Sequence, residues 1–200
     1  MKKIFALLWL FTFWLYANIQ EITINHHSFT IVTEKYDIYD SKGEVMKFYK
    51  DIHDDKPLFH LTLTDATGGC SSRSLVDGAY EIEGNKIRLY SFFHRQGTAY
   101  MEPYGARVVE YEVLNNGELK KIRSQVYIET AQRGYENSKG MKYLFQKPKT
   151  EQEKNALANY VKQVEEHYSA QFLLGKEGKS LIKEVKEAIK RKIKRNWSVK

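Results

Sequence analysis

Cysteine is almost missing from this chain. Cys70 is the only one, so no intramolecular disulfide staples the fold. No Cys-x-x-Cys pair is present to hold a metal or a redox centre, and neither a Walker phosphate loop nor a nucleophile elbow occurs. These absences turn the reading away from an enzyme and call for no cofactor and no metal. A long apolar run is lacking too: Ile4 to Tyr16 is short for a membrane span. That run follows the positive Met1-Lys2-Lys3 and ends just before Ala17, which reads as a cleavable secretory signal peptide over residues 1–17. The mature chain is then expected to begin near Asn18 and to be periplasmic or secreted. No cysteine stands at the cut, so a bacterial lipid anchor is not expected.

The formal net charge is +7, but it is unevenly spread. Residues 176–200 hold ten Lys/Arg against Glu177, Glu184 and Glu187, and Lys2 and Lys3 fall in the leader. The rest of the chain is slightly acidic, which gives no footprint for nucleic acid. Two hundred residues are enough to bury a core without metal or disulfide.

From Ile22 to about Lys147 the pattern is that of short strands. Thr23-Ile24 and Phe29 to Thr33 are rich in β-branched residues. Lys42-Gly43 signals a turn, Asp51 to Pro57 a polar loop, and Leu58 to Thr64 alternates as a half-buried strand. Gly84-Asn85 marks a hairpin that sets Ile82 opposite Ile87, Tyr80 opposite Leu89 and Glu81 opposite Arg88. A second hairpin is expected to turn at Asn116-Gly117, pairing Leu114 with Leu119, Glu112 with Lys121, Tyr111 with Ile122 and Glu110 with Arg123. A strand within Gly97 to Tyr104 and a closing strand over Met141 to Phe145 complete about eight.

The period then changes. Thr150 and Glu153 form a capping-box signature, followed by Leu157, Tyr160, Val161, Val164 and Tyr168 at helical spacing. Gly175 interrupts, and Leu181, Ile182, Val185, Ile189 and Ile193 make the stripe of a second, basic helix. The expected fold is mainly β, α+β overall: an antiparallel barrel or sandwich of about eight strands over residues 18–148, then two helices over 149–200.

The run from Gly78 to Leu89, G-x-Y-x-I-x-G-N-x-I-x-L, resembles hairpins of lipocalin-like (calycin) small β-barrels. The resemblance covers the strand region and implies a small barrel that encloses a ligand. The family's Gly-x-Trp signature has no counterpart here, so no binding residue is carried over.

Aromatic residues crowd the strands. Tyr80, Tyr90, Phe92, Tyr100 and Tyr111, with Arg95 for an anionic group, are the candidate lining of an apolar or amphipathic ligand, although aromatics are also ordinary core and strand formers. Arg73 and Arg107 are further candidate anion contacts at the mouth. Cys70, in a Gly/Ser loop near Arg73, is a candidate reactive thiol, with His60 and His94 as candidate bases; a buried structural cysteine is the ordinary alternative. His26-His27 and His53-Asp54-Asp55 lack metal-site spacing. On the basic helix, Lys183, Lys186, Lys190, Lys194 and Trp197 are placed to contact an anionic membrane surface or a partner, unless the stripe packs on the sheet and the lysines are merely solvated. The leading expectation is an exported small-ligand-binding protein without catalysis. Behind it stand an envelope interaction protein docking through the basic helix and a thiol redox protein using Cys70.

Overall fold

The computed structural model describes residues 17–38, 41–67, 72–97, 104–128, 143 and 146–197, excepting the side chains of 17, 72–74, 95–97 and 193–197. Of the leader, residues 1–16 lie outside the described residues, as do Cys70, Tyr100, most of the strand expected within Gly97 to Tyr104 (residues 98–103) and, Tyr143 apart, the closing strand expected over 141–145. Strands β1 (Ala17–Ile24), β2 (His27–Ile38), β3 (Ser41–Tyr49), β4 (Phe59–Thr67), β5 (Ser72–Glu83), β6 (Lys86–Gly97), β7 (Gly105–Val113) and β8 (Leu119–Ile128) are followed by α1 (Glu151–Tyr168), β9 (Gln171–Phe172) and α2 (Gly175–Trp197). All nine strands form one sheet in chain order. The first eight pair antiparallel as a meander, and β9 returns parallel to β8 after α1. The chain is thus mainly β, with the two helices last.

Among the described residues the sheet is not closed, which corrects the barrel half of the expectation: β1 and β9 end the strand order and do not pair with each other. It rolls up instead. The rings of Phe59 on β4 and Tyr111 on β7 stack 5.0 Å apart, although three strand spacings in a flat sheet come to roughly 14 Å. Phe48 stacks on Phe59 at 4.7 Å and meets Phe29 at 5.1 Å, so one run of rings ties β2, β3, β4 and β7 together. Met46, Ile87 and Val113, each fully buried, fill the space around them. Side chains bridge the rolled edges at one end. Asn25 Nδ2 donates to the Val113 carbonyl at 3.0 Å and His27 Nε2 to the Asn115 carbonyl at 2.9 Å. The β1–β2 turn is made by Asn25 and His26, both at positive φ without any glycine, a conformation that asparagine tolerates better than most residues. No sequence signal marked it.

The first expected hairpin has the register read from sequence: Tyr80 opposite Leu89, Glu81 opposite Arg88, Ile82 opposite Ile87. Its charges find other partners, however. Glu81 accepts from Tyr90 and Arg191, while Arg88 meets Glu83 and Glu110. The second hairpin keeps Glu110 opposite Arg123, but beyond that pair the register is one residue off, with Tyr111 opposite Lys121, Glu112 opposite Lys120 and Val113 opposite Leu119. The turn explains this. Gly117, at φ 79°, donates to the Leu114 carbonyl, and Leu114 pairs with Glu118, so three residues rather than two make the loop. Ile122 is then the extra residue at the bulge between Glu110 and Tyr111.

Gly43 is a second correction. It lies within β3 and not in a turn. Its job is close approach: a Cβ there would stand 2.6 Å from the Tyr36 hydroxyl on the neighbouring strand.

Both helices form as their stripes predict. The Thr150–Glu153 capping box closes in both directions at the start of α1, where Tyr160 and Val164 bury against Val126, Ile128 and Phe172. Helix α2 lays Leu181, Ile182, Val185 and Ala188 on Ala79, Tyr90, Phe92, Ala106, Val108 and Tyr127. Polar clamps fix it there: Arg123 grips Glu184 through both oxygens at 2.8 Å, and Arg191 Nε reaches Glu81 at 2.8 Å.

Candidate functional site

Beside α2 the sheet carries an open groove of about 730 Å3, lined by β2, β3, β4 and β5. The strand register assembles it in rows. Lys35 lies opposite Glu44, Glu44 opposite Thr64, and Thr64 opposite Asp77. Two residues along, Asp37 lies opposite Lys42, Lys42 opposite Ala66, and Ala66 opposite Leu75. Residues two apart on a strand share a face, so these two rows form one surface. The row between them in sequence, Tyr36, Gly43 and Asp65, turns its side chains to the other face of the same strands.

That middle row is a brace. Because Gly43 has no side chain, Tyr36 reaches across it and donates to Asp65 Oδ1 at 2.6 Å. Ser41 donates to the same oxygen at 2.9 Å, and Thr67 to Oδ2 at 2.9 Å. Burial alone would raise the Asp65 pKa, but these hydroxyls and the Ala66 N–H outweigh it and hold the carboxyl below its ordinary value of 3.8. The Tyr36 phenol is pushed the other way, up to about 12, by burial and by its bond to the carboxylate. A group whose acidity is raised by the fold stabilises it above the ordinary pKa and loses that contribution as pH falls through the lowered one. Asp65→Asn should therefore cost about 1–2 kcal/mol at neutral pH, the low end for charge-assisted bonds because the site is partly exposed. The deficit should shrink in acid. Urea unfolding at neutral and strongly acidic pH checks this, and a deficit that stays constant with pH would contradict it.

Charge on the groove face is mixed, with Asp37, Glu44 and Asp77 against Lys35 and Lys42. The Lys42–Asp37 pair at 2.8 Å is exposed on both sides and adds little to stability. Asp77 Oδ2 lies 2.7 Å from His94 Nε2. From α2, Lys192 Nζ donates to the Gly78 carbonyl at 3.0 Å. Burial pulls the Lys192 pKa down, opposed by the carboxylates of Glu44 and Asp77.

Comparison with protein-family models, curated proteins and solved structures finds no match to this chain. What the groove holds must follow from its own chemistry.

The residues expected to line a ligand do not meet in it. Tyr80 and Tyr111 pack on the rolled core, and burial raises the pKa of both. Tyr90 and Phe92 lie beneath α2, the first with its hydroxyl on Glu81. Arg95 is placed only by its backbone, opposite Ser74, and Tyr100 is outside the described residues. Of the two candidate bases for Cys70, His60 is exposed and His94 is engaged by Asp77. The basic helix also differs from expectation at one lysine: Lys186 turns inward, its Nζ 2.8 Å from the Tyr104 hydroxyl and 4.7 Å from the centre of the Phe92 ring. Lys183 and Lys190 stay exposed, and the side chains of Lys194 and Trp197 are not described. Inserting the apolar stripe into a membrane would require α2 to leave the sheet. Sequence reasoning passed over Tyr36, Glu44, Asp65 and Asp77, which lie on four strands and converge only once the register is known.

Proposed function

We propose that this chain is an exported binding protein that takes a small polar ligand bearing a protonated amine in the groove beside α2. One observation carries the reading: an open cleft of ligand size whose carboxylates outnumber its lysines, on a chain that is basic as a whole. The Tyr36–Asp65 brace supports it, because it locks β2, β3 and β4 together from their other face, so the floor of the groove needs no reordering when a ligand arrives. Glu44 and Asp77, with the Thr64 hydroxyl between them in the same row, would receive the amine. The filled interior of the roll argues for this outer site over enclosure of an apolar molecule. Export fits as well, since β1 starts at Ala17 and cleavage after that residue leaves the remainder of the sheet whole.

Calorimetric titration with 1,4-diaminobutane tests the site. Each charge-assisted hydrogen bond lost is worth about 1.5–3 kcal/mol, so Glu44→Gln with Asp77→Asn should weaken binding by at least roughly tenfold. Equal affinity in the double variant would remove the groove from consideration. A native mass spectrum of protein expressed with its own leader should show a chain beginning at Asn18. A retained apolar molecule in that spectrum would return the ligand to the aromatic strands.

A further inference from the structure

Arg107 is the third residue of β7, opposite Ser91 on β6 and Val126 on β8. Its surroundings are apolar and aromatic. Val126 belongs to the cluster that α1 covers with Tyr160 and Val164, and Phe93 of that cluster meets the Tyr168 ring at 5.7 Å. Among the described residues no acceptor meets its Nε, which is shut away from solvent. Burial lowers the Arg107 pKa, opposed by the phenols of Tyr111 and Tyr168, and among the described residues no carboxylate contributes.

Two other half-buried arginines of the same sheet are treated differently. Arg123 holds Glu184 through both oxygens, and Arg88 lies against Glu83 and Glu110. The fold supplies anions to those two and leaves Arg107 among rings. A guanidinium cannot discharge itself by losing a proton at any ordinary pH. A buried charge without a counter-ion is unfavourable, and an apolar side chain of similar volume would avoid the cost. Such a fork, planar and aimed from a rigid strand, matches a carboxylate or phosphate group through two parallel hydrogen bonds.

We propose that Arg107 anchors a binding site for a small oxyanion between β7 and α1, with the rings of Phe93, Tyr111 and Tyr168 as its apolar walls. The site is separate from the groove and does not depend on the reading given to it. An oxyanion reaches such a place either as free phosphate or as the carboxylate head of an amphipathic molecule, and the aromatic walls suit the second by adding apolar contact.

Thermal unfolding of the full mature chain tests the site with sodium phosphate and sodium octanoate as probes, against sodium chloride at equal ionic strength. The expected result is a saturable rise in Tm with at least one probe. Octanoate alone identifies the amphipathic source and phosphate alone the free ion. Arg107→Met should abolish the rise, weakening the anion at least tenfold, and without added anion it should be as stable as the parent or more so. Arg107→Lys, which keeps the charge but loses the fork, should retain only part of the effect. Three results would overturn the proposal: neither probe exceeding chloride, Arg107→Met keeping the rise, or Arg107→Met falling well below the parent in stability. The last would mean that the guanidinium has a partner within the fold. The Glu44→Gln/Asp77→Asn variant should respond to the anions like the parent, which separates this site from the groove.

Discussion

Truncation of Phe48 to alanine should remove about 3–5 kcal/mol of stability, the largest loss expected from any single side chain here. Phe48 is 1% exposed and touches two other rings, Phe29 at 5.1 Å and Phe59 at 4.7 Å. Phe59 in turn stacks on Tyr111. Those contacts hold the rolled sheet against itself where no strand pairing does, so the cavity left behind cannot collapse without unrolling β3 and β4 from β7. Urea unfolding measures the effect. A loss below about 1.5 kcal/mol would show that the roll is held by something else. Phe59→Ala should behave similarly, and the double variant should lose less than the sum because both substitutions break the same stack.

Gly178→Val should be nearly as damaging, through overpacking rather than a void. A Cβ on Gly178 would stand only 2.1 Å from Cδ2 of the Tyr127 ring and 2.5 Å from Cε2. Tyr127 is itself 7% exposed, packed against α2 on one side and within 6.4 Å of the Phe172 ring. The ring cannot step aside cheaply, so the helix must rise. Overpacking of this kind costs about 1–3 kcal/mol, and the two γ-methyls of valine place this variant at the upper end. Hydrogen exchange should show faster exchange along α2 before the rolled core between β2 and β7 is affected. Uniform loss of protection across the sheet would instead mean that α2 and the roll unfold as one unit.

Local features were legible in the sequence because their causes are local. A glycine-containing turn with alternating neighbours fixed the Tyr80–Leu89 register, and the Thr150–Glu153 box marked the start of α1. The apolar stripe of α2 likewise pointed to the face that packs. What misled was a residue type with two uses. Gly43 signals a turn on composition, yet it serves as the gap through which Tyr36 reaches Asp65. Asn116-Gly117 was read as a two-residue turn, and one additional residue in the loop displaced every pair up to the bulge at Ile122. The groove could not be read at all, since its charged residues are up to 42 positions apart in sequence, from Lys35 to Asp77. Lys186 shows the same limit on a helix: spacing assigned it to the charged side, while the Phe92 ring and the Tyr104 hydroxyl draw it inward.

Strand order has a consequence for timing. Each strand from β2 to β8 pairs with the one made just before it, so the meander can assemble progressively as the chain emerges, at little loop-closure cost. The cover for its second face, α2, follows all nine described strands in the chain. Until residues 175–197 arrive, Tyr90, Phe92, Ala106 and Val108 form a bare apolar sheet surface that invites other chains. The nascent protein is therefore most exposed to aggregation in the interval between completion of the sheet and arrival of the helix that covers it.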